Sequence, residues 1–253
     1  MGDAGGAGKH AAFIAALYDE QNAGIRELCS QPLLLSMICL AYEEGGGFPA
    51  NRLELYESAL NALLVKWDST RNIQRDRLLP EEVIYRDLTF RQKARFLAEI
   101  ATAAFEKGEY YFERRRLSRD IETFLARMPG IQGEVDGDIV LDAIVAQHGI
   151  FAERARDIFA FSHLTFQEYF TARYIAENEA RRTTRRMMAH LTDRRWREVF
   201  LLTAGQLEDD FIVELRAAID GLVEGDATLV ELLRWADARS LAARAPDRNR
   251  PAL

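Results

Sequence analysis

The sequence predicts a mainly α protein: a helical bundle, one small β-hairpin with a helix behind it, and further antiparallel helices. Three observations carry that prediction. Apolar residues recur at steps of three and four through most of the 253 residues, the spacing that builds one buried face on a helix. The period changes to two at one place, GIFAERARDIFAFS, residues 149–162. Proline and glycine punctuate the segments, at Pro32, GGGFP (45–49), Pro129-Gly130 and Gly149, where helices stop or turn.

The elements follow in order. PLLLSMICLAY begins at Pro32 and is apolar on nearly every side, so it is expected inside a bundle, with the proline tolerated in the first turn where no intrahelical bond is lost. NRLELYESALNALLVKW places Leu53, Tyr56, Leu60, Leu63, Leu64 and Trp67 on one stripe. A polar linker, STRNIQRDR (69–77), separates it from a helix face of Leu97, Ile100, Ala101 and Ala104. Leu117, Ile121, Phe124, Leu125 and Met128 mark the next helix, and Val140, Leu141, Ile144 and Val145 a short third one ending at Gly149. The two apolar runs around Ala155-Arg156-Asp157 then read as a hairpin. Helices leading into a hairpin with another helix behind it describe a winged-helix domain. From residue 179 the chain is helical again, with stripes at Trp196, Val199, Phe200 and Thr203, at Phe211, Leu215, Ala218, Ile219 and Leu222, and at Leu229, Leu232 and Leu233. Such helix pairs could begin a solenoid, although no clear internal repeat marks them. The tail after Ser240 carries no stripe and two prolines, and is expected to fray.

Composition excludes several classes. Hydrophobic residues at 48% and charged residues at 29% are the balance of a globular chain rather than a disordered one. No apolar run reaches the ~20 residues of a bilayer span, and Lys9-His10 with AAFIAAL lacks a cleavage-like region, so no membrane partner and a cytoplasmic location are expected. A net charge of −7 opposes general attraction to nucleic acid. The basic clusters Arg114–Arg116 with Arg119, Arg181–Arg186 and Arg194–Arg197 read first as solvated helix faces. Cys29 and Cys39 offer neither a metal spacing nor a disulfide framework and read as reduced packing residues. His148 and His190 stand beside no cysteine or carboxylate set and read as structural or surface residues.

FSHLTFQEYF, residues 161–170, holds the candidate site. Thr165 as N-cap, Glu168 three residues on and Leu164 with Tyr169 as a staple make a helix start. His163 then lies just before a helix N-terminus, whose unpaired amides favour an anion, and its imidazole could add a hydrogen bond to a phosphate. The alternative is a histidine bonded to nearby backbone.

IFAFSHLTFQEYFTARYI (158–175) resembles the end of the winged-helix domain of NACHT-type STAND NTPases, the class that includes the animal NLR receptors and many bacterial defence proteins. IRELCSQPLLLSMICLAYEE (25–44) and FPANRLELYESALNALLVKWD (48–68) resemble the helical domain after the nucleotide-binding core, and DRRWREVFLLTAG (193–205) the helical region after the winged helix. The resemblance implies that His163 contacts the β-phosphate of bound ADP and holds the closed form, and that Pro32 packs on the adenine ring. It implies ADP or ATP as cofactor, with magnesium in the intact protein.

A phosphate loop needs G-x-x-x-x-G-K-[ST]. GDAGGAGKH (2–10) has Asp3 where the first glycine belongs and His10 where the metal-binding hydroxyl belongs, and no later strand ends in paired acids. This segment is expected to be a glycine-rich leader or a truncated start. The expected division is residues 1–20 as leader or remnant of the core, 21–76 as helical domain 1, 77–178 as the winged-helix domain, and 179–253 as a C-terminal helical region of HEAT-like kind. No catalytic or metal-binding residue is assigned. Such a chain would supply contacts to a nucleotide rather than hydrolyse it, as the regulatory part of a signal-transduction ATPase, with an NTPase core in cis or in trans and protein partners on the C-terminal helices. The rival readings are a stand-alone helical interaction scaffold and a winged-helix DNA-binding regulator, the latter opposed by the net charge.

Overall fold

The computed structural model describes residues 4–30, 32–61, 64, 88–129, 131, 135–178, 182–207 and 209–244. The linker 69–77, Leu63, Trp67, Gly130, Arg181 and the tail beyond Arg244 lie outside the described residues. The chain is mainly helical, with one three-stranded antiparallel sheet.

The first four helices are α1 (Ala4–Leu17), α2 (Ala23–Leu28), α3 (Pro32–Gly45) and α4 (Arg52–Asn61). The glycine-rich leader is therefore helical: Gly5, Gly6 and Gly8 lie within α1. Helix α3 starts at Pro32 as its sequence indicates, but it is not enclosed. Leu34, Met37, Ile38 and Ala41 are buried while Pro32, Leu35, Ser36 and Cys39 are exposed. An all-apolar helix here buries one face only, and Cys39 is no packing residue.

Helix α5 (Phe90–Phe105) opens with a capping box: Thr89 Oγ1 accepts from the Gln92 amide at 3.3 Å, and Gln92 Oε1 accepts from the Thr89 amide at 2.8 Å. Leu97, Ala101 and Ala104, all fully buried, lie on its inner face. A two-residue strand β1 (Phe112–Glu113) leads into α6 (Arg114–Ala126). Helix α7 (Gly137–His148) is capped by Asp136, whose Oδ1 accepts from the Asp138 amide at 2.9 Å, and it ends at Gly149 in the left-handed region, φ 60°.

The hairpin is β2 (Phe151–Ala155) and β3 (Ile158–Phe161). Strand β3 is central, with β1 pairing on its other side, Phe112 opposite Phe159. The β1 pairing completes the winged-helix arrangement of α5, β1, α6, α7, β2, β3 and the following helix α8 (Leu164–Glu177).

Inside the sheet, Phe112, Phe151 and Phe161 meet edge-on or tilted, with centroids 4.6–6.1 Å apart, and Phe161 continues to Phe170 of α8 at 6.2 Å. Each such ring contributes roughly 1.5–3 kcal/mol on burial. Helix α8 packs on α5 and on α10 (Arg197–Ala204), with α9 (Thr183–Met188) between in sequence. Tyr56 of α4 stacks on Tyr169 of α8, centroids 5.4 Å apart, joining the early helices to the wing region. Helices α11 (Asp209–Glu224) and α12 (Ala227–Arg244) pair with each other. Their predicted stripes exist but are largely open: Ile219, Leu222, Leu229, Leu232 and Leu233 are 40–55% exposed.

Candidate functional site

The site is built where β3 ends and α8 begins. Ser162 donates its amide to the Ile150 carbonyl at 2.7 Å, closing the sheet, and Phe161 on one side and Thr165 and Phe166 on the other are buried. His163 is thus held between two anchored segments while itself exposed.

His163, in extended conformation at φ −142° and ψ 142°, is the N-cap of α8. Its Nδ1 accepts from the Thr165 amide at 3.2 Å and lies 2.8 Å from the Thr165 hydroxyl. Thr165 is therefore not the cap, and Glu168 closes no box with it. Leu164 is 45% exposed and Tyr169 fully buried. An imidazole nitrogen has replaced the hydroxyl oxygen in the same capping role, two residues earlier.

The cap decides the chemistry of the ring. A backbone amide can only donate, so Nδ1 is the acceptor, and in the neutral ring the proton is carried by Nε2. His163 therefore turns a donor outward. The alternative raised by the sequence, a histidine bonded to local backbone, is what Nδ1 shows, and it leaves Nε2 outside the cap.

An open cleft of about 500 Å³ lies against the ring, lined by Tyr110, Tyr111, Arg154, Ser162, His163 and Leu164 among others. Arg154 enters it from the hairpin, its Nη2 donating to the Ser162 carbonyl at 2.6 Å. Sequence reasoning assigned Arg154 no role, since its place depends on the register of the hairpin. On the other side of Leu164, a second cleft of about 470 Å³ carries Arg194, Arg195 and Arg197 with Glu168 and Glu198. Arg195 holds Asp193 at 2.6 Å, and that hydrogen bond draws the Asp193 carboxyl below its usual range.

Pro32 opens α3, exposed, and does not line the cleft at His163. The two residues singled out from the sequence lie on separate elements, α3 and the start of α8.

The basic clusters are mostly exposed, as expected of solvated faces, and some of their arginines also pair with carboxylates. Arg114 reaches Asp138, Asp142 and Asp157, linking α6, α7 and the hairpin turn, and the Asp142 hydrogen bond raises its pKa further. Arg116 pairs with Glu109, and Arg186 with Glu106 at 3.0 Å. His190 stacks on Trp196 with ring centroids 4.1 Å apart, a structural role as expected. Among the described residues no group of three or more His, Cys, Asp or Glu could hold a metal ion, and no helix is long and apolar enough to cross a membrane.

Residues 52–175 match the family described as the winged helix-turn-helix domain C-terminal to NACHT. The match covers β1 to β3, the cleft residues and nearly all of α8. No curated protein was found to match the chain.

Proposed function

Because residues 52–175 belong to the family of winged helix-turn-helix domains that follow NACHT, we propose that this chain is the regulatory part of a NACHT-type signal-transduction ATPase. In this reading it closes over ADP held by an NTPase core, in cis or in trans, and opens when ATP replaces it. His163 donates from Nε2 to the terminal phosphate of ADP. Pro32 packs on the adenine ring, and magnesium belongs to the core. Defence signalling is the setting in which such switches are used.

The observation that carries the reading is the division of labour on the His163 ring. Nδ1 is consumed by the cap of α8, so the ring is fixed in orientation and tautomer before any ligand arrives. A donor preset in this way loses little entropy on binding a phosphate. Closure by a nucleotide requires that ADP bind the closed form more tightly than the open one, and a contact from a domain outside the core is one source of that difference.

The test is release of a fluorescent ADP from the complete protein, core included, comparing wild type with His163→Asn. Asparagine can restore the cap through its side-chain oxygen but does not reach as far as Nε2. Faster release with unchanged thermal stability is expected. Equal release rates would sink the reading.

One observation favours a second reading, a helical interaction scaffold with no nucleotide role: the open apolar residues of α11 and α12, including Trp235 at 58% exposure. Equal ADP release in the two proteins would favour it. Duplex DNA binding has less support, since Arg114 and Arg116 are engaged with carboxylates of their own chain and the net charge is −7.

A further inference from the structure

We propose that Arg154 is a second phosphate ligand at the His163 site and supplies a permanent positive charge there. The inference rests on the reading of His163 given above and extends it to a residue on the hairpin.

The backbone gives the first argument. Glu153 pairs with Phe159 and Ala155 with Ile158, so Arg154 is the extra residue of a β-bulge between those pairs. A bulge breaks the alternation of a strand and re-aims one side chain. Here the re-aimed side chain runs back along the hairpin to Ser162, eight positions further on, and donates to its carbonyl at 2.6 Å. That carbonyl belongs to the residue directly before His163. The guanidinium and the imidazole consequently line the same cleft.

Charge gives the second. Several arginines of this domain end on carboxylates: Arg114 on Asp138, Asp142 and Asp157, Arg116 on Glu109, Arg127 on Glu99, and Arg173 on Glu177. Arg154, like Arg119 on the Arg115 carbonyl, gives its hydrogen bond to a neutral carbonyl, and among the described residues no carboxylate pairs with it. Of these two, Arg154 is the one that lines the cleft with His163. One contact holds the group in place and leaves further N–H donors of the planar fork for another acceptor.

Ligand chemistry gives the third. The terminal phosphate of a nucleoside diphosphate presents several oxygens and about two negative charges. The His163 Nε2–H supplies one hydrogen bond. Arginine adds a permanent charge and a fork that matches a phosphate edge. In this proposal the added charge serves the outer phosphate, so the site would favour a diphosphate over a monophosphate.

The experiment uses the complete protein with its NTPase core and follows fluorescent ADP release from wild type, Arg154→Gln, Arg154→Lys and His163→Asn. Removing a charge-assisted hydrogen bond is expected to speed release roughly tenfold in Arg154→Gln, with partial recovery in Arg154→Lys. AMP affinity, measured in competition, is expected to be equal in wild type and Arg154→Gln. If His163→Asn releases ADP faster while Arg154→Gln matches wild type, Arg154 is no ligand and the His163 reading stands. If both variants match wild type, both readings fall. A melting temperature lowered in Arg154→Gln and restored in Arg154→Lys, with AMP lost in parallel with ADP, would overturn the proposal in favour of a hairpin-bracing role.

Discussion

His163 and Thr165 are joined through a single ring nitrogen: the Thr165 amide and hydroxyl both reach Nδ1, at 3.2 and 2.8 Å. The cap and the outward donor are thus two ends of one ring, and substitutions separate them. His163→Ala removes both and is expected to lower stability by about 1 kcal/mol, the usual cost of losing an N-cap. His163→Asn restores an acceptor and is expected to recover most of that loss. Urea unfolding of the two variants beside wild type measures the difference, and equal stability of His163→Ala and wild type would show that the cap contributes nothing.

Gly137, at the start of α7, packs directly against the backbone of α6. A Cβ added there would lie 2.2 Å from the Ser118 carbonyl oxygen and 2.8 Å from its carbon. Both are backbone atoms of α6 and cannot swing aside. Gly137→Ala is therefore expected to destabilise by about 1–3 kcal/mol, the range for overpacking, despite the higher helix propensity of alanine. Thermal melting checks it. A melting temperature at or above wild type would mean that the two helices can separate without loss.

Tyr169 is buried, and burial above all pushes its phenol up to about 12 from 10.0. In the unfolded chain the phenol ionises near the lower value, so the stability it contributes is complete below pH 10 and lost as pH rises towards 12. Between those limits wild type is expected to lose on the order of 2 kcal/mol more than Tyr169→Phe. Denaturant unfolding at several alkaline pH values gives both curves. Parallel curves would contradict the shift.

Most of the helices were legible in the sequence because burial follows a period. Leu97, Ala101 and Ala104, or Val140, Leu141 and Ile144, are spaced as a helix face requires, and they are buried. The hairpin was legible because Phe159 and Phe161 alternate with the intervening residue. Strand β1 was not, since two residues carry no period, and its pairing with β3 is a tertiary fact. The start of α8 was read two residues late because the T-x-x-E signature describes hydroxyl caps and an imidazole acceptor has no such signature. Stripes also say nothing about what covers them. Leu34 and Leu35 are neighbours on one apolar helix, and one is fully buried while the other is 37% exposed. His163 was legible as a site candidate from its place before a helix. Arg154 was not, because a bulge is a matter of register, and register is set by the partner strand.

The bulge at Arg154 has a further effect on how the protein behaves among other molecules. Strand β2 is an edge of the sheet, since the order is β1-β3-β2, and a flat edge is a template on which strands from other chains can assemble. Here the edge is irregular and carries exposed Glu153 and Arg154, two of the devices that discourage such assembly. The opposite edge, β1, is two residues long. The wing can therefore stand out from the helices without inviting aggregation, and the residue that breaks its regularity is the same one whose guanidinium faces the cleft.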